Sequence, residues 1–572
     1  MTVIKNSAFL NLLVTRGILT EESSFRLEEK FKENGFAILL HLVRINNTPK
    51  AVLGRLWADS LNLSYVDMRK TLFQRSVVHL LPEEFARKHQ MILIYQFGDA
   101  VTAALSNPAD SLNLKTAEEI IGRRISPTFA FSDEIEAAIE IEYQSEEHLK
   151  DLSNKIVTDS IQIEDISELT KEELQKVAGS QSVVEFVRGL LLLAVRENAS
   201  DIHFEPGEDK VRIRFRVDGL LQERSMMEKS LLSPVVSRLK ILANLDITER
   251  RRPQDGRINL ELPNRKIDFR FSSVPTIFGE KIVLRILGQT QSQDIPDLSD
   301  LAFSRQNLTT LRKIMDIPHG IFFVTGPTGS GKSTTLFSVL KHLNKPEINI
   351  TTIEDPVEYR LAGISQIQVN AAVDLDFATA LRSFLRQDPD VMLIGEIRDM
   401  ETAQIACQAA LTGHFVLATL HTNSAVQAVT RLIDIGLKPF LVSQSLIGVM
   451  SQRLVRKICP HCREKYPASP EEVKDLFNGE GREIYLYRGK GCFQCKNTGY
   501  SGRVAIHEVI LINDEMRSLI TRGESASDIQ LCARKINFHS LRYDGIKKAL
   551  RGLTTFEEVN RVTTADEDAG LE

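Results

Sequence analysis

With 572 residues the chain is too long for one compact core, and on the order of three or four domains are expected. Apolar residues make up 42% and charged residues 26%, which excludes global disorder. The formal charge of −5 argues against nucleic acid as the main partner, because neutralising phosphates supplies most non-specific affinity.

In chain order, residues 8–14 read as an amphipathic first helix rather than a signal peptide. Asn11 interrupts the apolar run, and Thr15-Arg16-Gly17 offers no cleavage pattern. No apolar run approaches the roughly 20 residues of a membrane span, so the protein is expected in the cytoplasm. Residues 1–145 form a mixed module with strands at 91–95 and 100–105, and the polar stretch 146–181 reads as a linker with some helical content.

From Ser182 the pattern tightens. Val183, Phe186, Val187, Leu190, Leu191 and Ala194 recur at helical spacing. Val211, Ile213, Phe215 and Val217 then alternate with Arg212, Arg214 and Arg216, and Asp218-Gly219 closes that strand as a hairpin. With further strands at 202–204, 266–271 and 281–287, residues 182–297 read as an α/β domain. Across 298–456, apolar strands at 321–325, 348–353, 391–394 and 415–420 alternate with helical stretches, which predicts a parallel sheet covered by helices. A cysteine module (457–500) and a helical C-terminal region (501–572) with a polar tail complete an α/β chain.

Gly326, Pro327, Thr328, Gly329, Ser330, Gly331, Lys332, Ser333 and Thr334 spell the phosphate-binding pattern G-x-x-x-x-G-K-[ST]. An apolar strand precedes it, and Leu336, Val339, Leu340 and Leu343 give a helix face after it, which is the context the mechanism requires. The glycines let backbone N–H groups point at phosphate oxygens beside the positive end of a helix dipole. Lys332 would reach the β- and γ-phosphates of ATP, and the Ser333 hydroxyl would ligate Mg²⁺.

Hydrolysis also needs a group that positions or deprotonates water. Glu354 and Glu396 both fall at the C-terminal ends of predicted strands, where ligands of parallel sheets bind; Glu396 occupies the Walker B place, with a glutamate after glycine where an aspartate is more usual. His414 and His421 flank the strand 415–420 and cannot both touch one phosphate; His421, at the C-terminal end, is the better γ-phosphate contact. Of six cysteines, Cys459/Cys462 and Cys492/Cys495 form two Cys-x-x-Cys pairs, suited to a tetrahedral structural Zn²⁺. His461 is a weaker ligand candidate, and a redox dithiol is disfavoured because no thioredoxin-like context surrounds either pair.

With these pieces placed, the sequence resembles the secretion ATPase family, hexameric motors of type II secretion and type IV pilus assembly. The resemblance spans roughly residues 180–560 and rests on SDIHFEP (200–206), PQDGR (253–257), the phosphate loop, TIEDPVEY (352–359), LRQDPD (385–390), GEIRD (395–399), LTGH…LHTN (411–423) and QRLVRKICPHC (452–462). It implies a RecA-like P-loop domain in a homohexamer, with Glu354 as the catalytic glutamate and Glu396 as the acid that organises Mg²⁺. It also implies that Arg270 and Arg285 reach nucleotide from the preceding domain, and that Arg382, Arg386 and Arg398 lie near the site or subunit contacts. Residues 1–145 would dock onto an inner-membrane platform protein or a linker protein, placing the motor at the cytoplasmic face of a bacterial inner membrane. The stretches around His414 and Phe440 look more like the type II secretion branch than the pilus branch. Leu10 stands where relatives that bind a cyclic dinucleotide carry glycine, so that ligand is not expected. A nucleic-acid translocase and a nucleotide-gated scaffold without turnover are the rival readings.

Overall fold

The computed structural model describes residues 7–31, 34–45, 48–68, 71, 73–108, 111–143, 156, 171–262, 265–287, 295–477, 484–536 and 538–564. The chain divides into two compact units, Met1–Leu287 and Gly288–Glu572. Most of the 146–181 linker and the end of the polar tail lie outside the described residues; within the linker, Lys171–Ala178 is helical. Among the described residues no single helix is long and apolar enough to cross a membrane.

In the first unit the opening helix is Ser7–Thr15. Its Phe9 meets Trp57 edge-on at 5.1 Å between ring centroids, and Leu10 and Leu13 are buried with it. A small sheet follows, in which β1 (Met91–Phe97) pairs antiparallel with β2 (Ala100–Leu105) and β2 pairs parallel with β3 (Arg124–Phe129). The second part is a six-stranded antiparallel sheet in the order β6-β5-β4-β9-β8-β7. Its strands are β4 (Ala199–Pro206), β5 (Lys210–Val217), β6 (Leu220–Glu228), β7 (Gln254–Leu262), β8 (Arg265–Thr276) and β9 (Gly279–Leu287). Alternation sends Ile202, Phe204, Ile213, Phe215, Phe269, Phe271, Ile282 and Leu284 to one face, where they pack with the helices Gln181–Arg196 and Leu232–Leu242. Asp201, His203, Glu205, Arg212, Arg214 and Arg216 occupy the alternate positions.

The second unit is built on a seven-stranded sheet whose strands stand in the order Ser365–Gln368, Ile350–Glu354, Val391–Ile394, Phe415–Leu420, Gly320–Thr325, Leu446–Ile458 and Tyr500–Leu511. The strands β10 (Gly320–Thr325), β11 (Ile350–Glu354), β13 (Val391–Ile394) and β14 (Phe415–Leu420) are buried throughout, as parallel strands covered on both faces must be. β12 (Ser365–Gln368) adds a parallel edge, and β15 (Leu446–Ile458) runs parallel to β10. Helices Lys332–Leu343, Phe377–Phe384, Met400–Leu411 and Ala425–Asp434 accompany the sheet, which separates two apolar cores. This is the RecA-like α/β architecture expected for residues 298–456.

The C-terminal boundary differs from the sequence reading. Residues 501–572 read as helical, yet β18 (Tyr500–Leu511) pairs antiparallel with β15 along most of its length. The apolar run from Val504 to Leu511 belongs to the core sheet, and only the four helices after it fit the helical reading. Between these long strands sits the short ribbon β16 (Arg463–Pro467) with β17 (Tyr485–Gly489). The cysteine module is thus an insertion between two core strands.

Candidate active site

Parallel strands gather their C-terminal loops at one edge of the sheet, and four predicted functional groups meet there. β10 ends at Thr325 and passes through the glycine loop into the helix that begins at Lys332. Gly326 (φ 148°) and Gly331 (φ 87°) hold backbone conformations that side chains disfavour. A Cβ on Gly331 would stand 2.7 Å from the Gln452 amide nitrogen. That amide braces the loop: Gln452 Nε2 donates to the Ser330 carbonyl (2.8 Å), and its Oε1 accepts from Thr335 Oγ1 (2.8 Å). Ser330 Oγ is buried with no hydrogen-bond partner among the described residues. An orphaned donor inside a curled glycine loop fits a phosphate oxygen.

Lys332 folds over the loop, its Nζ donating to the carbonyls of Gly326 (2.8 Å) and Pro327 (3.2 Å). Burial pulls its pKa down to about 8, against the opposing field of Glu396. Thr334 Oγ1 lies 3.2 Å from the Tyr359 hydroxyl. Glu354, the last residue of β11, is 5% exposed. Burial raises its pKa even though its carboxylate accepts from Thr352 Oγ1 (2.7 Å) and Gln366 Nε2 (3.1 Å). Glu396 follows β13, paired with Arg398 at 2.5 Å and facing His421 Nε2 at 3.5 Å. Partial burial and the neighbouring Lys332 ammonium lower the His421 pKa. His414 sits at the other end of β14, with Nδ1 2.9 Å from the Ala409 carbonyl.

The remaining arginines are held elsewhere. Arg382 pairs with Glu401, and Arg386, in the turn after the helix Phe377–Phe384, folds back on it, donating to the Arg382 carbonyl at 3.0 Å. Arg270 and Arg285 are paired neighbours on β8 and β9 of the first unit, where Arg285 Nε donates to Asp201 Oδ1 at 3.0 Å. Sequence reasoning missed the parts played by Gln452, Arg453, Thr352 and Gln366. The available signal was the polar run Ser451-Gln452-Arg453 directly after the apolar stretch 446–450 of the same strand.

The four paired cysteines form a second site. Their sulfurs all lie within 4.8 Å of one another, with Cys459–Cys492 and Cys462–Cys495 at 3.8 Å and Cys492–Cys495 at 3.7 Å. Tetrahedral thiolates at about 2.3 Å from one ion stand about 3.8 Å apart, so the spacing fits a metal, and it is far too long for disulfides. The backbone amides of Cys492 (3.1 Å) and Gly499 (3.2 Å) donate to Cys495 Sγ. Burial raises that thiol, but the amides outweigh it and bring it down to about 7, whereas burial pushes Cys462 up to about 12. A bound cation would let all four ionise together.

The family model described as Type II/IV secretion system protein matches residues 176–561, and one described as MshEN domain matches residues 61–149. The type IV pilus assembly ATPase PilB of Thermus thermophilus is 41% identical over 525 residues, 91% of this chain; the chain spans only 58% of that relative's length. The type II secretion system ATPase E of Vibrio cholerae is 43% identical over 498 residues, covering 86% of this chain and 98% of that protein. Among solved structures, the ATPase DotB of Yersinia pseudotuberculosis shares the fold at TM-score 0.50 and 20% identity, over 68% of this chain and 95% of that one.

A lysine whose pKa lies at about 8 is cationic below that pH and neutral above it. Affinity for a nucleoside triphosphate is therefore predicted to be nearly flat below pH 8 and to fall by up to about tenfold per unit above it, with net proton uptake on binding. Calorimetric titration in buffers of different ionisation enthalpy measures both. Constant affinity and no proton uptake across this range would contradict the assignment.

Proposed function

The chain belongs to the type II/IV secretion system protein family and is an ATP hydrolase, and on that premise we propose that it powers pseudopilus assembly for type II protein secretion, as a homohexamer at the cytoplasmic face of a bacterial inner membrane. The observation that carries this reading is the gathering of Lys332, Glu354, Glu396 and His421 at the C-terminal ends of adjacent strands of one sheet. The N–H groups of the glycine loop and Lys332 grip the β- and γ-phosphates, while Ser333 and Glu396 hold the Mg²⁺ that arrives with ATP. Glu354 takes the proton of the attacking water, and its raised pKa brings it closer to the range that suits a general base. His421 contacts the γ-phosphate. Arg398, already at the Glu396 carboxylate, and Arg386 supply charge to the transition state.

Residues 1–145 dock onto a linker protein or membrane platform, and turnover works on that platform. Assembly of a type IV pilus is the second reading, and one observation favours it: the pilus relative aligns with more of this chain than the secretion relative does. The cysteine cluster holds a structural Zn²⁺ that ties the insertion between β15 and β18 together; it needs no open coordination position.

Two experiments test these roles. In Glu354→Gln, turnover is expected to fall by roughly 10²- to 10⁴-fold while ATP affinity stays within about threefold. Unchanged phosphate release would remove Glu354 from the mechanism. Elemental analysis of the purified protein is expected to find one zinc per chain, lost in Cys495→Ser together with several degrees of melting temperature. A metal-free wild-type protein of the same melting temperature would show that the cluster is no zinc site.

A further inference from the structure

His421 stands on the turn that follows β14, and that turn carries no regular structure of its own. Three side chains fix it. Thr422 N donates to Thr325 Oγ1 at 2.9 Å, tying the turn to the end of the phosphate-loop strand. Arg453 Nη2 donates to both the carbonyl and the side-chain oxygen of Asn423, each at 3.0 Å. Glu508 accepts from Ala425 N at 2.5 Å, and its second oxygen accepts from Leu541 N at 3.1 Å, so one carboxylate joins two helix starts. Arg453 is 9% exposed and Glu508 3%.

The pleat explains how two loops are served by one strand. Ser451 of β15 lies opposite Glu508 of β18, and Arg453 is two residues farther on, so these three share a face. That face holds the His421 turn. Gln452, between them, points to the other face and braces the phosphate loop.

We propose that Arg453 and Glu508 are positioning residues for ATP hydrolysis, holding the middle and the end of the 421–425 turn, whose start Thr325 ties, so that His421 faces Glu396 and the γ-phosphate. This rests on the reading of the P-loop site as the place of turnover. Arginine is required because its planar fork holds Asn423 through Nη2 and the Gln452 carbonyl through Nη1 at 3.2 Å, and it stays charged when buried. A lysine keeps the charge but loses the fork.

The test measures steady-state ATP turnover in Arg453→Lys and Glu508→Gln, each alone and combined with His421→Ala. Both single variants are expected to lose roughly 10- to 100-fold in kcat with the KM for ATP within about threefold, since a small misplacement of a reacting group costs on that scale. Adding His421→Ala is expected to cause no further loss, because the proposed route from clamp to turnover runs through that residue. Should the lysine protein fail to fold, Asn423→Ala, which removes one of the two acceptors, takes its place with the same expectation. Unchanged kcat, a rise in KM with kcat intact, or losses that multiply with His421→Ala would each overturn the proposal. Absence of turnover in the wild-type chain would instead strike at the functional reading itself.

Discussion

A loop that offers its backbone N–H groups to a phosphate cannot also use them to hold itself together, so its shape must be fixed from outside. Here that constraint falls on the buried amide of Gln452, which bonds Ser330 in the loop and Thr335 in the following helix. Both polar ends of the side chain are occupied. A buried amide satisfied at both ends resists displacement, because removing either partner strands a polar atom away from water. The glycines follow from the same constraint: at Gly331 a Cβ would collide with that amide. Because β15 reaches this position only through its pairing with β10 and β18, the phosphate loop depends on strands that come well over a hundred residues later in the chain.

Charge at the site is balanced with similar economy. Burial lowers the Lys332 pKa to about 8 while the field of Glu396 opposes the shift, so the ammonium stays charged at neutral pH but titrates closer to it than an exposed lysine. A bound triphosphate would raise that pKa again, which makes the ammonium group respond to the ligand. Glu354 is shifted in the opposite sense to an ordinary surface carboxylate, because burial outweighs its two side-chain donors. Glu396 holds Arg398 and faces His421, so the acid expected to organise Mg²⁺ is already linked to the histidine turn.

Much of this was legible in the sequence because it rests on local order. The strands at 321–325, 391–394 and 415–420 are largely apolar runs, and the phosphate loop and His421 follow two of them directly, with Glu396 one glycine beyond the third; Glu354 ends a strand in which Thr351 and Thr352 weaken that signal. The cysteine pairs announced themselves by spacing. What escaped was non-local. β18 begins in a turn-rich stretch after the cysteines, and its role appears only when it is laid beside β15. Gln452 and Arg453 sit one residue apart yet serve opposite faces, a distinction that depends on the pleat of a strand whose partners are distant in sequence. Glu508 joins two helix starts from far apart in the chain, which no spacing rule encodes.

The account stands on Lys332 and the loop amides gripping a triphosphate firmly enough to couple its cleavage to movement. Phosphate release by purified Lys332→Ala protein under saturating Mg²⁺ and ATP tests this most directly. The account predicts turnover at background, a loss on the order of a hundredfold or more, in a protein that still melts like the wild type. Turnover at the wild-type rate would contradict it.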